Sequence, residues 1–171
     1  MNSKQIVAAV SVVTLLVILI YPALSTGTVS VVIRSSKIDD AEHVYVTIDN
    51  LWAHQAGQAN HEGWELISNR SRTVDLVFLA NSTSALGKND LPLGNYDSIR
   101  VEVSNVTWAY NSTTTKLELE SRELVASVEF TVKAGKESSI TLNLTGHQQD
   151  MRGTKFFVAQ LNATITGNSQ F

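Results

Sequence analysis

Cysteine is absent from the 171 residues. That excludes disulfide staples, thiolate metal centres, a cysteine nucleophile and the lipid-modified cysteine of bacterial lipoproteins, so stability has to come from packing. Charge is sparse, with 13 basic and 16 acidic residues giving a net charge of −3. No basic stripe exists to neutralise a polyanion, and nucleic acid is not an expected partner. Catalytic signatures are missing too. No G-x-S-x-G, H-E-x-x-H, P-loop or G-x-G-x-x-G occurs, and the serines lack a nearby histidine. Neither an enzymatic activity nor a cofactor is expected.

What is present first is grease. Ile6 to Leu24, IVAAVSVVTLLVILIYPAL, carries no charge. As a helix it would run roughly 28 Å, close to the roughly 30 Å hydrocarbon core of a bilayer. Lys4 and the α-amino group precede it and the next charge is Arg34, so the N-terminus is expected inside and the remainder outside. The expected organisation is a membrane segment over 1–26, held by lipid through Ile6 to Leu24, and one extracytoplasmic domain over 27–171. Pro22 followed by Ala23-Leu24-Ser25 offers a cleavage site after Ser25, which would make the product secreted. Ser3-Lys4-Gln5 ahead of a long apolar helix also resembles the start of an archaeal type IV pilin, the filament-subunit alternative.

Asn-x-Ser/Thr acceptors fall at Asn69, Asn81, Asn105, Asn111, Asn143 and Asn162. From composition about two would arise by chance. The excess, all on the side expected outside, predicts a glycoprotein exported by an archaeon or a eukaryote.

After Gly27 the dominant period is two. Val29, Val31 and Ile33, then Val44, Val46 and Ile48, mark half-buried strands, and Gln55 to Gly63 is a loop by composition. Trp64 to Ile67 and Thr73 to Leu79 are the next expected strands, with a helical turn around Ser84-Ala85-Leu86. A long strand then opens at Leu91. Its phase shifts near Asn105, where Val106 and Trp108 take the formerly polar parity, and a bulge there would restore the face. Asn111 to Thr115 and Gly146 to Gly153 are expected loops, and three further apolar-alternating stretches run from Leu124, Ile140 and Phe157. About nine strands without an amphipathic helix predict an all-β fold. The expected form is an antiparallel β-sandwich, immunoglobulin- or transthyretin-like, preceded by one N-terminal transmembrane helix.

Gly27-Thr28-Val29-Ser30-Val31, Val44-Tyr45-Val46-Thr47-Ile48 with His54, Gly63-Trp64, Leu91-x-x-Gly94-x-Tyr96 and Phe130-Thr131-Val132-Lys133-Ala134-Gly135 follow one another in an order that resembles the domain-of-unknown-function 4382 family. The likeness covers nearly all of 27–166. It implies an exported or membrane-anchored β-sandwich and no established activity. An Asp-Ala-Pro segment usual after the first strand is Arg34-Ser35-Ser36 here, so no ligand role tied to it carries over. Independently of the family, Gly94 suits a turn and Tyr96 can bury its ring while its hydroxyl returns to nearby backbone, a structural corner.

His54, His61 and Glu62 surround one loop but match no metal-ligand spacing, and Asp39, Asp40 and Glu42 lack the calcium-loop ladder, so neither set is expected to hold a metal. Trp52, Trp64, Trp108 and Tyr110 would suit a sugar-stacking platform, although aromatics in strands more often fill the core. The leading expectation is a non-catalytic, glycosylated module anchored at the cell membrane, with a surface protein or glycan as partner. A secreted carbohydrate-binding module or an unrecognised hydrolase using His54 or His61 are the alternatives.

Overall fold

A computed structural model describes residues 25–38 and 40–168. The expected span from Ile6 to Leu24, and Asp39, lie outside the described residues, among which no helix is long and apolar enough to cross a membrane.

Ten strands form: β1 (Thr26–Ser35), β2 (His43–Gln55), β3 (Trp64–Ser68), β4 (Arg72–Asp75), β5 (Ser84–Pro92), β6 (Gly94–Tyr110), β7 (Thr113–Leu119), β8 (Glu123–Val132), β9 (Glu137–Met151) and β10 (Thr154–Asn168). The period-two residues are the inward ones. Val29, Val31 and Ile33 of β1, Val44, Val46 and Ile48 of β2, and Ile140, Leu142 and Leu144 of β9 are all buried in one core. Each fully buried aliphatic contributes about 1.5–3 kcal/mol relative to exposure, which is how a cysteine-free chain of this size holds together.

The strands follow one hydrogen-bonded path, β3-β2-β6-β7-β10-β9-β1-β5, with β4 added to β2 and β8 to β6. The result is an all-β, nearly closed, barrel-like sheet. The two halves meet through a short ladder, Phe156 with Glu118 and Phe157 with Leu119. Both that pairing and the eight-residue pairing of β1 with β9 are parallel, which corrects the wholly antiparallel expectation. Strands so far apart in sequence need no hairpin between them, so either direction is open to them.

Local expectations are corrected in five places, one of them the Asn111 to Thr115 loop, which narrows to Asn111-Ser112 because Thr113 already opens β7. Thr73 to Leu79 is not one strand: β4 stops at Asp75, and a 3-10 turn, Phe78–Ala80, leaves Phe78 70% exposed. Ser84-Ala85-Leu86 is strand, not a helical turn, because β5 pairs along β1, with Leu86 the extra residue at a register shift between Val31 and Val32. The long strand begins at Gly94, with Leu91 and Pro92 ending β5. Gly146 to Gly153 is mostly strand, closed by a tight Arg152-Gly153 turn, and Asn111-Ser112 turns β6 into β7; all four residues have positive φ, the two-residue hairpin geometry. The expected phase shift in β6 is present, since Thr47 faces Asn105 while Ile48 faces Val103, leaving Ser104 as the extra residue.

Ser25, where the described chain enters, lies beside Leu93, and Thr26 pairs with Pro92. Asn168, where it leaves, pairs with Ser138 at the start of β9. Both ends therefore emerge at one pole. The 17 residues of β6 carry the sheet roughly 50 Å to the other pole, where the β6–β7 and β9–β10 turns lie.

Candidate functional site

A groove on the outer face of β2, β6 and β8, about 600 Å³ in volume, gathers His54, Trp64, Asp97, Arg100, Glu123 and Glu129. Two register slips build it. His54 faces Ser98 and Gln55 faces Tyr96, so Asp97 is an extra residue opposite β2, and the ladder to β8 slips at the same point. A bulge re-aims the side chain it carries. Here it points the Asp97 carboxylate at the imidazole.

His54 is only 4% exposed. Its Nδ1 meets Asp97 Oδ1 at 2.9 Å and its Nε2 meets the Ala59 carbonyl oxygen at 3.2 Å. Both partners are acceptors, so both ring nitrogens donate only when the ring is a cation. Burial works against that charge. The hydrogen bonds to Asp97 and Ala59, with the Asp97 charge, outweigh it and hold the His54 pKa above its ordinary value. Asp97 is held below its own, first by the Ser98 hydroxyl, which donates to Oδ1 at 2.7 Å, and then by His54.

The sign of the pH dependence follows. A pKa raised on folding stabilises fully below the unfolded value near 6.5 and ceases to do so as pH climbs through the folded value. Asp97 contributes in the opposite sense, its share vanishing as pH falls through its depressed pKa. The melting midpoint of the chain should therefore fall as pH is raised from about 6 to 9, and His54→Gln should flatten that segment of the profile. A wild-type midpoint flat across this range would contradict the clamp.

These contacts also bear on hydrolysis. A serine nucleophile needs a free imidazole nitrogen to take its proton. Ser98 instead donates to the carboxylate, and the second imidazole nitrogen is occupied by backbone. The arrangement ties the 56–63 loop to the sheet.

Of the four aromatics, two meet. The Arg100 guanidinium lies 4.5 Å from the Trp52 ring centroid and 4.3 Å from that of Trp64. Each such contact is worth about 0.5–2 kcal/mol. Trp64 also touches the His54 ring and donates to the Asn60 carbonyl at 2.9 Å. Trp52 and Trp64 thus close on a cation and present no open platform. Trp108 is 7% exposed, and Tyr110 is at the opposite pole.

The remaining expected positions are scattered. His61 and Glu62 are exposed and 3.6 Å apart. Asp40 has φ of 62° and its carbonyl accepts from Trp108 Nε1 at 3.2 Å, while Glu42 is exposed. No group of three metal-ligating side chains converges among the described residues. Tyr96 is 1% exposed; its hydroxyl donates to the Pro92 carbonyl at 3.0 Å, its pKa is pushed up to about 12 by burial, and Gly94 beside it has φ of 153°. Asn69, Asn81, Asn111 and Asn162 are exposed, whereas Asn105 and Asn143 are half-buried. Asn143 faces Asn162 across the β9–β10 ladder and donates to Ser36 Oγ at 3.3 Å.

A second groove, about 640 Å³, lies at the far pole between the ends of the β6–β7 and β9–β10 hairpins. Neither His147 nor Gln148, which line it, stands out in the sequence.

The sequence model of one family, described as Domain of unknown function (DUF4382), matches residues 26–153. No curated protein and no solved structure matches the chain.

Proposed function

The chain belongs to the DUF4382 family, and from that premise we propose that it is a non-catalytic module displayed outside the cell, anchored by Ile6 to Leu24 and carrying N-linked glycans. Its two halves act as the layers of a flattened barrel in the manner of an immunoglobulin- or transthyretin-like sandwich, since Val31 and Leu142 share one core with Val46 and Val101. The observation that carries the reading is the polarity of the domain. Its described ends leave at one pole, while a polar groove and the tight β6–β7 and β9–β10 turns occupy the other. An anchored module built this way holds its recognition surface away from the bilayer.

Intact-mass measurement of the protein extracted from its own membranes tests anchorage and modification together. Expected is a mass that retains the first 26 residues and exceeds the bare chain by whole glycans, removed by Asn→Gln at Asn69, Asn81 and Asn162. A mass starting after Ser25 would refute the anchor in favour of secretion, and one starting near Gln5 would favour the filament subunit. An unmodified mass would refute the glycoprotein.

A further inference from the structure

We propose that the far-pole groove is a binding site for a neutral oligosaccharide. This deepens the displayed-module reading and rests on it for access to such ligands.

The groove has the chemistry such a ligand requires. Tyr110, 49% exposed as a residue, ends β6 and lines the groove with an amphipathic side chain on whose ring the C–H face of a pyranose can lie. Around it stand Thr113 and Thr115 of β7 and Gln148 of β9, whose hydroxyls and amide each offer both donors and acceptors. A sugar hydroxyl also donates and accepts, so these partners match it. A phosphate or carboxylate would ask for an excess of cations. Here one lysine, Lys155, is balanced by one acid, Asp40.

Shape points the same way. About 640 Å³ falls within the roughly 300–1,000 Å³ typical of small-molecule sites. A peptide helix or strand would seek an apolar anchor pocket, whereas Trp108, the one large apolar group below Tyr110, is buried and spends its indole N–H on the Asp40 carbonyl. Asp40 apart, which lies in the connection from β1 to β2, the walls belong to two hairpins, with Asn111-Ser112 and Arg152-Gly153 in tight two-residue turns. Little ordering is left for a ligand to induce.

The test applies the full chain, extracted in detergent from its own membranes, to an array of neutral and acidic oligosaccharides. Retention on neutral structures is expected. Tyr110→Ala and Gln148→Ala should each weaken it at least tenfold with an unchanged melting midpoint, and Trp64→Ala in the other groove should leave it intact. No retention on any neutral glycan, retention on acidic glycans alone, or retention that survives Tyr110→Ala would overturn the assignment. Anchorage is read separately by intact mass, so a failed array does not touch the display reading, nor a failed anchor the groove.

Discussion

Replacing Phe157 with alanine should cost about 3–5 kcal/mol, the range for a buried aromatic truncated in a core. Phe157 is buried in the short ladder that joins the two halves of the barrel, paired with Leu119 on β7 and facing Gln148 on β9. Its ring lies on the bare Cα of Gly146: a Cβ built there would fall 2.2 Å from Phe157 Cζ. Glycine is thus required by close approach, and the two positions are coupled. Gly146→Ala alone should destabilise, whereas in the Phe157→Ala background it should be neutral or restore stability by filling part of the void. Urea unfolding of the four chains reads this coupling. Strict additivity would mean that the ring and the glycine do not pack as described. Because Gln148 and Lys155 lie within two strand positions of this contact, Phe157→Ala should also abolish ligand retention at the far-pole groove.

Gly27→Ala should be nearly as damaging, by about 3 kcal/mol, at the other pole. A Cβ at Gly27 would sit 2.2 Å from the Lys133 carbonyl oxygen and 2.9 Å from Val132 Cγ1. A side chain could swing aside, but this obstacle is backbone. It is fixed because Gly135 N–H donates to the Thr26 carbonyl at 3.2 Å and Thr28 N–H to the Lys136 carbonyl at 2.9 Å, stitching β1 to the β8–β9 turn on either side of the glycine. Relief requires moving β1 off the turn, and overpacking of this kind costs about 1–3 kcal/mol, occasionally more. For a chain of this size the midpoint should fall by roughly 6–12 °C. Gly167→Ala, where nothing lies within 4 Å of the added Cβ, serves as the control and should leave it unchanged. Equal midpoints for the two variants would refute the close approach.

The inward faces were legible because a half-buried strand writes its burial into every second residue. Val29, Val31 and Ile33 need no partner to be recognised. The β6 bulge at Ser104 was legible for the same reason, since Val103 and Val106 are three apart and both must face in. The same signal stands at Tyr96 and Ile99, with Asp97 and Ser98 between two buried residues, and it marks the bulge that builds the His54 groove. Partnership is what period two does not encode. Nothing around Ser84 announces that it will complete β1, and without that partner Ser-Ala-Leu before glycine reads as a helical turn. Parallel pairing of β1 with β9 joins residues more than a hundred apart, and no local pattern distinguishes it from the antiparallel kind. Arg100 likewise reads as a solvated outward residue until Trp52 from β2 and Trp64 from β3 are brought to either side of it.

The lack of native cysteine supplies the most direct test of which side of the membrane the domain occupies. Thr114, exposed on β7 near the far-pole turn, can be changed to cysteine as the chain's one thiol. Sealed cells are then treated with a membrane-impermeant maleimide. Labelling of Thr114→Cys in sealed cells to the level reached after lysis is the predicted result. A thiol that reacts only once the cells are broken would place the domain inside and contradict the account.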